Sequence, residues 1–347
     1  MNTPSPHGPK AGAEWQARIE AVRAETAHPV MSQHVVSKVL LKRFAVDDGI
    51  QGLRVQRFDL DHPHRHHQRR AVKGIGAVRD FVPVASASLE VLWGQVENRL
   101  HTAAAAVERG NVFDDARHVE VLKDFIALHW IRSHHYLDVY NRNVTTVRAT
   151  LKHRLITEYS DALSQETFRR TGRRPAGAAA LEAAADELFK RELDDDYNSR
   201  ADLRVRIEED FAQAKEIIRS SGLQILRPET GEYLLGDVPA MTIRERGDTI
   251  QYGMALGDAD AVVLPLGPRH LIVGRSPRDE IATLPTRTVW RLNAVQIKAA
   301  HRHVYLRPDS GLEPIVKAYL ACGGRSHPAR QGPEGDRESG IQSSHCR

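Results

Sequence analysis

Residues 116–159 contain neither Gly nor Pro, and no other feature of this chain limits its fold as strongly. Val119, Leu122, Ile126, Trp130, Leu137, Tyr140, Val144, Val147 and Leu151 recur there at spacings near three and four. An uninterrupted backbone with that period buries one face as α-helix. The segment reads as one very long helix or as two laid end to end. Residues 86–108 carry the same signature in Leu89, Leu92, Trp93, Val96, Leu100, Ala103 and Val107. Gly110-Asn111 ends that helix, and Asp114-Asp115 supplies an N-cap for the next. Gly172-Arg173-Arg174-Pro175 breaks the run, residues 178–193 resume it with Ala-rich sequence, and residues 201–220 close it. The helical core is expected at about 86–221.

Different textures lie on either side. Residues 53–60 alternate apolar and polar side chains after an Asp47-Asp48-Gly49 turn, the pattern of a half-buried strand. Beyond Gly222, short β-branched or apolar runs at 223–226, 233–235, 249–255, 261–266 and 271–273 are separated by Gly or Pro, giving a meander over about 222–275. A last long helix is expected at about 288–303, then a strand at 304–306 and a short helix near 313–320. The fold class is therefore α+β: a helical middle between an N-terminal strand region and a C-terminal meander, the two strand regions joining in one shared sheet. A single α+β domain is expected over 14–321. Residues 1–13 and 322–347, rich in Pro, Gly, Ser and charge, bury too little apolar surface to order and read as disordered tails.

The charge balance excludes little. Lys and Arg number 49 against 45 Asp and Glu, so a formal charge of +4 is weak evidence for nucleic acid. Cys322 and Cys346 both lie near the C-terminus, too few and too late to staple a core or build a zinc knuckle. With no signal-type apolar run at the N-terminus and no charge-free membrane span, a cytoplasmic, non-membrane protein is expected.

His34, followed by Leu41 and Phe44, resembles the opening signature of the uncharacterised bacterial family called domain of unknown function 4238. Later pieces agree in order: Val72-Lys73-Gly74-Ile75-Gly76 with Asp80-Phe81, Glu97, Arg132, Leu235-Gly236-Asp237-Val238-Pro239, residues 263–270, and Asn293. The likeness covers about 32–307. This chain departs from the pattern at Val36 and Ser37, where the family has Pro, and at Gly236, where Ser is usual. It departs again at Ser133, where Pro follows the Arg in relatives. The resemblance brings no established activity with it.

Four residues carry the candidate chemistry: His34, Glu97, Arg132 and Asp237. His34 is placed at the start of a short helix, where the dipole disfavours imidazolium and keeps the ring in the form a metal ligand or general base needs. The bland reading is a histidine bonded to a neighbouring carboxylate or carbonyl. Asp237 lies in a strand-end turn where capping is the commoner use of Asp. Glu97 and Arg132 sit on neighbouring helices, and a structural ion pair between them is the favoured account. If the four converge, a His and carboxylate cluster with a guanidinium suits metal-assisted or acid-base hydrolysis of phosphate esters, with a divalent metal as the candidate cofactor. The competing reading is a non-enzymatic binding or interaction module in which the same residues hold the fold. Nucleic acid would then meet the His62 to Arg70 loop or the Arg-rich helix near 142–154. His134, His135 and Asp138 share a helix face but lack a third ligand on a second element, and His301 to His303 complement a helix end. Phosphate-cradling Gly-rich loops, paired-Cys motifs, nucleophile elbows and zincin His pairs are missing from the sequence.

Overall fold

The computed structural model describes residues 9–25, 32–65, 68–79, 81, 87–192, 200–247 and 249–323. Residues 1–8 and 324–347, expected as tails, lie outside them. The first helix, α1 (Pro9–Glu25), begins inside the stretch read as an N-terminal tail. Its composition is tail-like, yet Trp15, Ile19 and Val22 form a stripe that packs on Val205. Proline is tolerated in a first turn because its missing N–H has no intrahelical partner there.

The fold is α+β, with the expected helical middle. It comprises α3 (Ala87–Arg109), α4 (Ala116–Ile131), α5 (His134–Thr157), α6 (Ser160–Thr171), α7 (Ala178–Glu192) and α8 (Arg200–Arg219). Helix α4 lies between α3 and α8 and also meets the large sheet. Every residue from Val121 to Ile131 is buried, which explains its nearly continuous apolar sequence. Residues 116–159 form two helices because Ser133 turns the chain. Its backbone is extended, its hydroxyl donates to the Trp130 carbonyl at 2.6 Å, and its oxygen accepts from Tyr136 N–H at 3.1 Å. One side chain thus caps both helices at the break. Beyond it, α5, α6 and α7 pack on one another through Leu163, Ala185 and Phe189.

The strands before the helices are β1 (Ser32–His34), β2 (Val46–Asp47), β3 (Leu53–Asp59), β4 (Arg69–Ala71) and β5 (Ala77–Arg79), with α2 (Lys38–Arg43) between β1 and β2. Those after them are β6 (Gly222–Pro228), β7 (Leu235–Gly236), β8 (Met241–Arg246), β9 (Thr249–Tyr252), β10 (Ala261–Gly267), β11 (His270–Ser276) and β12 (Glu280–Leu284). Then follow α9 (Thr286–Ala299), β13 (His303–Leu306) and α10 (Leu312–Ala321). The two strand regions do share a sheet, in the order β2-β3-β13-β7 with β4 on β3. Phe58 pairs with Val304 and Tyr305 with Leu235. Most of the meander builds a separate six-stranded sheet instead, β12-β6-β11-β10-β8-β9, and β1 pairs with β5.

Alternation explains the six-stranded sheet. Leu223, Ile225, Val262, Leu264 and Ile272 enter the core shared with α3, α4 and α8. Leu226, Met241, Val263, Leu271 and Val273 pack with Val289, Leu292 and Val295 of α9. Both faces are covered, so its inner strands read as unbroken apolar runs. Helix α9 stops at Ala299, short of the expected 303, for a reason found at Asp237 below.

Gly76 seats the β5 approach against α2. Its φ is +72°, and a Cβ there would lie 2.9 Å from Leu41 Cδ1 and 3.0 Å from the Val36 carbonyl oxygen. Gly76→Ala is expected to cost about 2 kcal/mol or more in urea unfolding, because left-handed backbone and steric conflict combine. Gly74→Ala, at φ +91° with open space around it, should cost less. Equal losses would remove the packing term.

Candidate functional site

Arg132 is the C-cap of α4, and its side chain is only 2% exposed. A guanidinium buried to that degree must have its charge met by protein groups. Its Nη1 donates to Glu97 Oε1 at 2.6 Å, its Nη2 donates to the His34 carbonyl oxygen, and its plane lies 4.5 Å from the Trp93 ring centre. Three of the four candidate residues therefore meet. His34 contributes its backbone oxygen to this junction.

His34 ends β1 and does not start a helix. The N-cap of α2 is Ser37, whose hydroxyl oxygen accepts from Leu40 N–H and hydrogen-bonds His129 Nε2 at 3.1 Å. The His34 ring is half-buried, and its pKa lies below the ordinary histidine value. Burial is the main cause, with Lys38 and Arg132 adding to it. His129 is held well below that value by complete burial and by Arg132, so a neutral ring fills the joint between α4 and α2.

Asp237 belongs to a second junction. Its carboxylate accepts from the backbone N–H groups of His301, Arg302 and His303 at 2.6, 2.8 and 2.8 Å, while its own N–H donates to the His303 carbonyl at 2.9 Å. Those contacts end α9 at Ala299 and turn the chain into β13. Two buried polar residues of α9 fix the same loop from the other side. Gln296 accepts from Gly236 N–H at 3.0 Å and donates to Pro239 O at 3.1 Å. Asn293 accepts from Leu234 N–H at 3.0 Å and donates to Glu232 O at 2.8 Å. A Cβ on Gly236 would stand 2.7 Å from Gln296 Oε1, so a larger residue here has to displace that amide. Among the described residues no hydrogen bond or ion pair joins Asp237 to His34, Glu97 or Arg132.

Several other histidines have structural partners. His134 stacks on His301 at 4.3 Å between ring centres, and Phe81 meets it edge-on at 5.1 Å. His135 lies within 3.4 Å of the Thr242 hydroxyl. His62 pairs with Asp59 at 3.3 Å. His66 and His67 are outside the described residues. Among the described residues no group of three or more His, Cys, Asp or Glu is arranged to hold a metal ion. Sequence reading overlooked Trp93, Ser37 and His129. Trp93, at i−4 from Glu97 on α3, reads as core from its spacing, and Ser37 stands just ahead of the apolar run Val39-Leu40-Leu41, the place of an N-cap.

Chemically, these junctions leave little to react. A carboxylate holding three N–H donors has few lone pairs left to take a substrate proton, and donors of the Arg132 fork are engaged by Glu97 and a carbonyl. Arg132→Met is expected to cost about 3 kcal/mol or more in urea unfolding, because it strands the partly buried Glu97 and removes the donor to the His34 carbonyl. A loss under about 1 kcal/mol would end the structural account. The histidines make a further prediction. Burial lowers the pKa of His129, His134 and His135, with Arg132, His301 and Arg142 respectively adding to the effect. Below about pH 6.5 the unfolded chain then binds more protons than the folded one, so stability rises with pH through this window and is lost as pH falls. The urea midpoint should drop between pH 7.5 and 5.5, and His134→Gln should flatten the drop.

No curated protein and no solved structure matches the chain. Residues 32–310, from the first residue of β1 to the approach to α10, match the family model described as "Protein of unknown function (DUF4238)". That span contains both junctions, His34, Glu97 and Arg132 in one and Asp237 and Asn293 in the other, and the chain belongs to this family.

Proposed function

We propose that this chain is a non-enzymatic binding module, in which His34, Glu97, Arg132 and Asp237 hold the fold while ligand is met elsewhere. The observation that carries this reading is the inward engagement of three of those residues. Arg132 is spent on Glu97 and a backbone oxygen, and Asp237 on three backbone N–H groups. A metal-assisted or acid-base hydrolase needs those groups turned toward substrate.

A polar cleft of about 500 Å³ supplies the ligand-facing surface. It is lined by Gln56 of β3, Gln68 and Arg69 at the start of β4, and Asp309, Ser310 and Glu313 leading into α10. That volume is in the range of small-ligand sites. Arg69 Nη2 holds both oxygens of Asp309 at 2.6 and 2.8 Å, and Gln56 donates to Glu313. Arg65, ahead of β4, and Arg70, within it, are exposed as well. Donors and acceptors in alternation with three arginines suit a ligand that carries both phosphate and base or sugar edges, and nucleic acid is that ligand.

Two measurements test the reading. Incubation with Mg²⁺, Mn²⁺ or Zn²⁺ and oligonucleotide or aryl phosphate substrates is expected to show no turnover. Hydrolysis abolished by His34→Ala at unchanged melting temperature would restore the enzyme. Fluorescence anisotropy with a labelled DNA duplex should show affinity falling about 40-fold from 50 to 200 mM salt, as three phosphate contacts imply. The triple substitution of Arg65, Arg69 and Arg70 by Gln should remove that dependence. Salt-independent binding, or none, would exclude nucleic acid as the ligand.

A further inference from the structure

The six-stranded sheet carries a second polar locus, where β6 ends and β11 begins. Leu223 and Ile225 of β6 and Ile272 of β11 face the core shared with the helices, and Leu226, Leu271 and Val273 face α9. Continuing that alternation puts Arg227 and His270 on the helical side. Leu226 pairs with Leu271, so the next position makes Arg227 and His270 cross-strand neighbours. Gly267, the partner of His270 on β10, has no side chain, and Arg43 from the end of α2 lies over it. A Cβ on Gly267 would be 3.6 Å from Arg43 Nε and Nη2.

Both arginines are fixed from one side only. Arg43 Nε donates to Leu266 O at 2.6 Å and its Nη2 to Glu108 at 2.9 Å. Arg227 Nη2 donates to the Val107 carbonyl at the end of α3, also at 2.9 Å, and its guanidinium rests on Gly110. That leaves Nη1 of each, and the buried Nε of Arg227, without a hydrogen bond among the described residues. The His270 ring makes none either, although it is only half-buried.

Charge is unbalanced at this point. The charged groups that act on His270 are Arg227 from β6, Arg43 from α2, Glu108 from α3, and Arg269 from the turn that precedes β11. Arg269 is engaged with Gly231 O and Pro228 O. Glu108 is the one carboxylate of the set, and its side chain is 56% exposed. Burial and the three guanidiniums push the His270 imidazole down to about 4, against the weaker pull of Glu108. Guanidiniums held by one edge, with free donors beside a ring that gains a proton once their charge is offset, are the elements of an oxyanion receptor.

We propose that Arg43, Arg227 and His270 form a binding site for a tetrahedral oxyanion, a phosphate group in the biological ligand. The site shares no residue with the Arg69–Asp309 cleft and does not depend on the reading of that cleft. An anion placed between the two guanidiniums offsets the charge that keeps His270 neutral, so binding and protonation of His270 reinforce each other. Affinity therefore rises as pH falls toward the ordinary histidine range.

Sulfate, whose charge is constant from pH 5.5 to 7.5, is the probe that isolates His270 from the titration of phosphate itself. Calorimetric titration of the full chain at low ionic strength should show one site, with affinity increasing as pH falls across that range. His270→Gln should bind sulfate without the pH dependence, and Arg227→Gln should weaken it about tenfold, the loss of one charge-assisted contact. Because Arg227 also caps α3, NMR titration of the wild-type His270 ring gives the fold-independent readout. A pKa raised by sulfate and unmoved by equal chloride supports the site, and a pKa unmoved by sulfate overturns it. Undiminished binding by Arg43→Gln/Arg227→Gln overturns it as well. Tighter binding of ribose 5-phosphate than of inorganic phosphate would assign the site to a carried phosphate group, and equal binding to the free anion; both uphold it.

Discussion

A buried guanidinium has to be answered on the spot, and the Arg132 fork is the interaction around which the N-terminal half is arranged. It sits at the end of α4, where helix carbonyls would otherwise lack partners, and reaches two other elements at once. Glu97 brings in α3, the His34 carbonyl brings in β1, and Trp93 closes the flat face of the ion. A lysine has no second edge with which to hold both a carboxylate and a carbonyl. The position of β1, and of the α2 helix that Ser37 and His129 start three residues later, is thus tied to one side chain from the middle of the sequence.

The C-terminal half uses the same logic with reversed charge. Asp237 takes three successive backbone N–H groups, a concentration of donors that no neutral side chain could match. Asn293 and Gln296 bind the preceding loop to α9, so a buried helix face that reads as polar error in an apolar stripe is what registers β7 against β13. Buried amides are satisfied at both ends here, which is the condition under which they fix a structure rather than weaken it.

Much of this was legible in the residues. The Gly- and Pro-free run predicted α4 and α5, and the apolar runs at 223–226 and 261–266 marked strands of a meander. The Glu97–Arg132 pair and the capping use of Asp237 followed from residue type and element placement. What sequence could not reveal depends on partners distant in the chain. Ser133 looks like any polar residue on a helix until Trp130 O and Tyr136 N–H are seen to share it. Strand β12 pairs parallel with β6 across some fifty intervening residues, and its half-exposed sequence carries little alternation of its own. The Arg43, Arg227 and His270 locus draws on three remote segments, each unremarkable alone.

Pairing between β3 and β13 joins residues about 250 positions apart, since Phe58 lies against Val304. On a ribosome the first of these strands emerges long before the second exists. Until β13 emerges, β3 has only its local neighbours β2 and β4 to shield its edge. Closure of so long a loop is entropically slow, so the last step of assembly is the arrival of the C-terminal segment. Until then the nascent chain presents an unpaired strand edge, the kind of surface that chaperones engage and that other chains can capture.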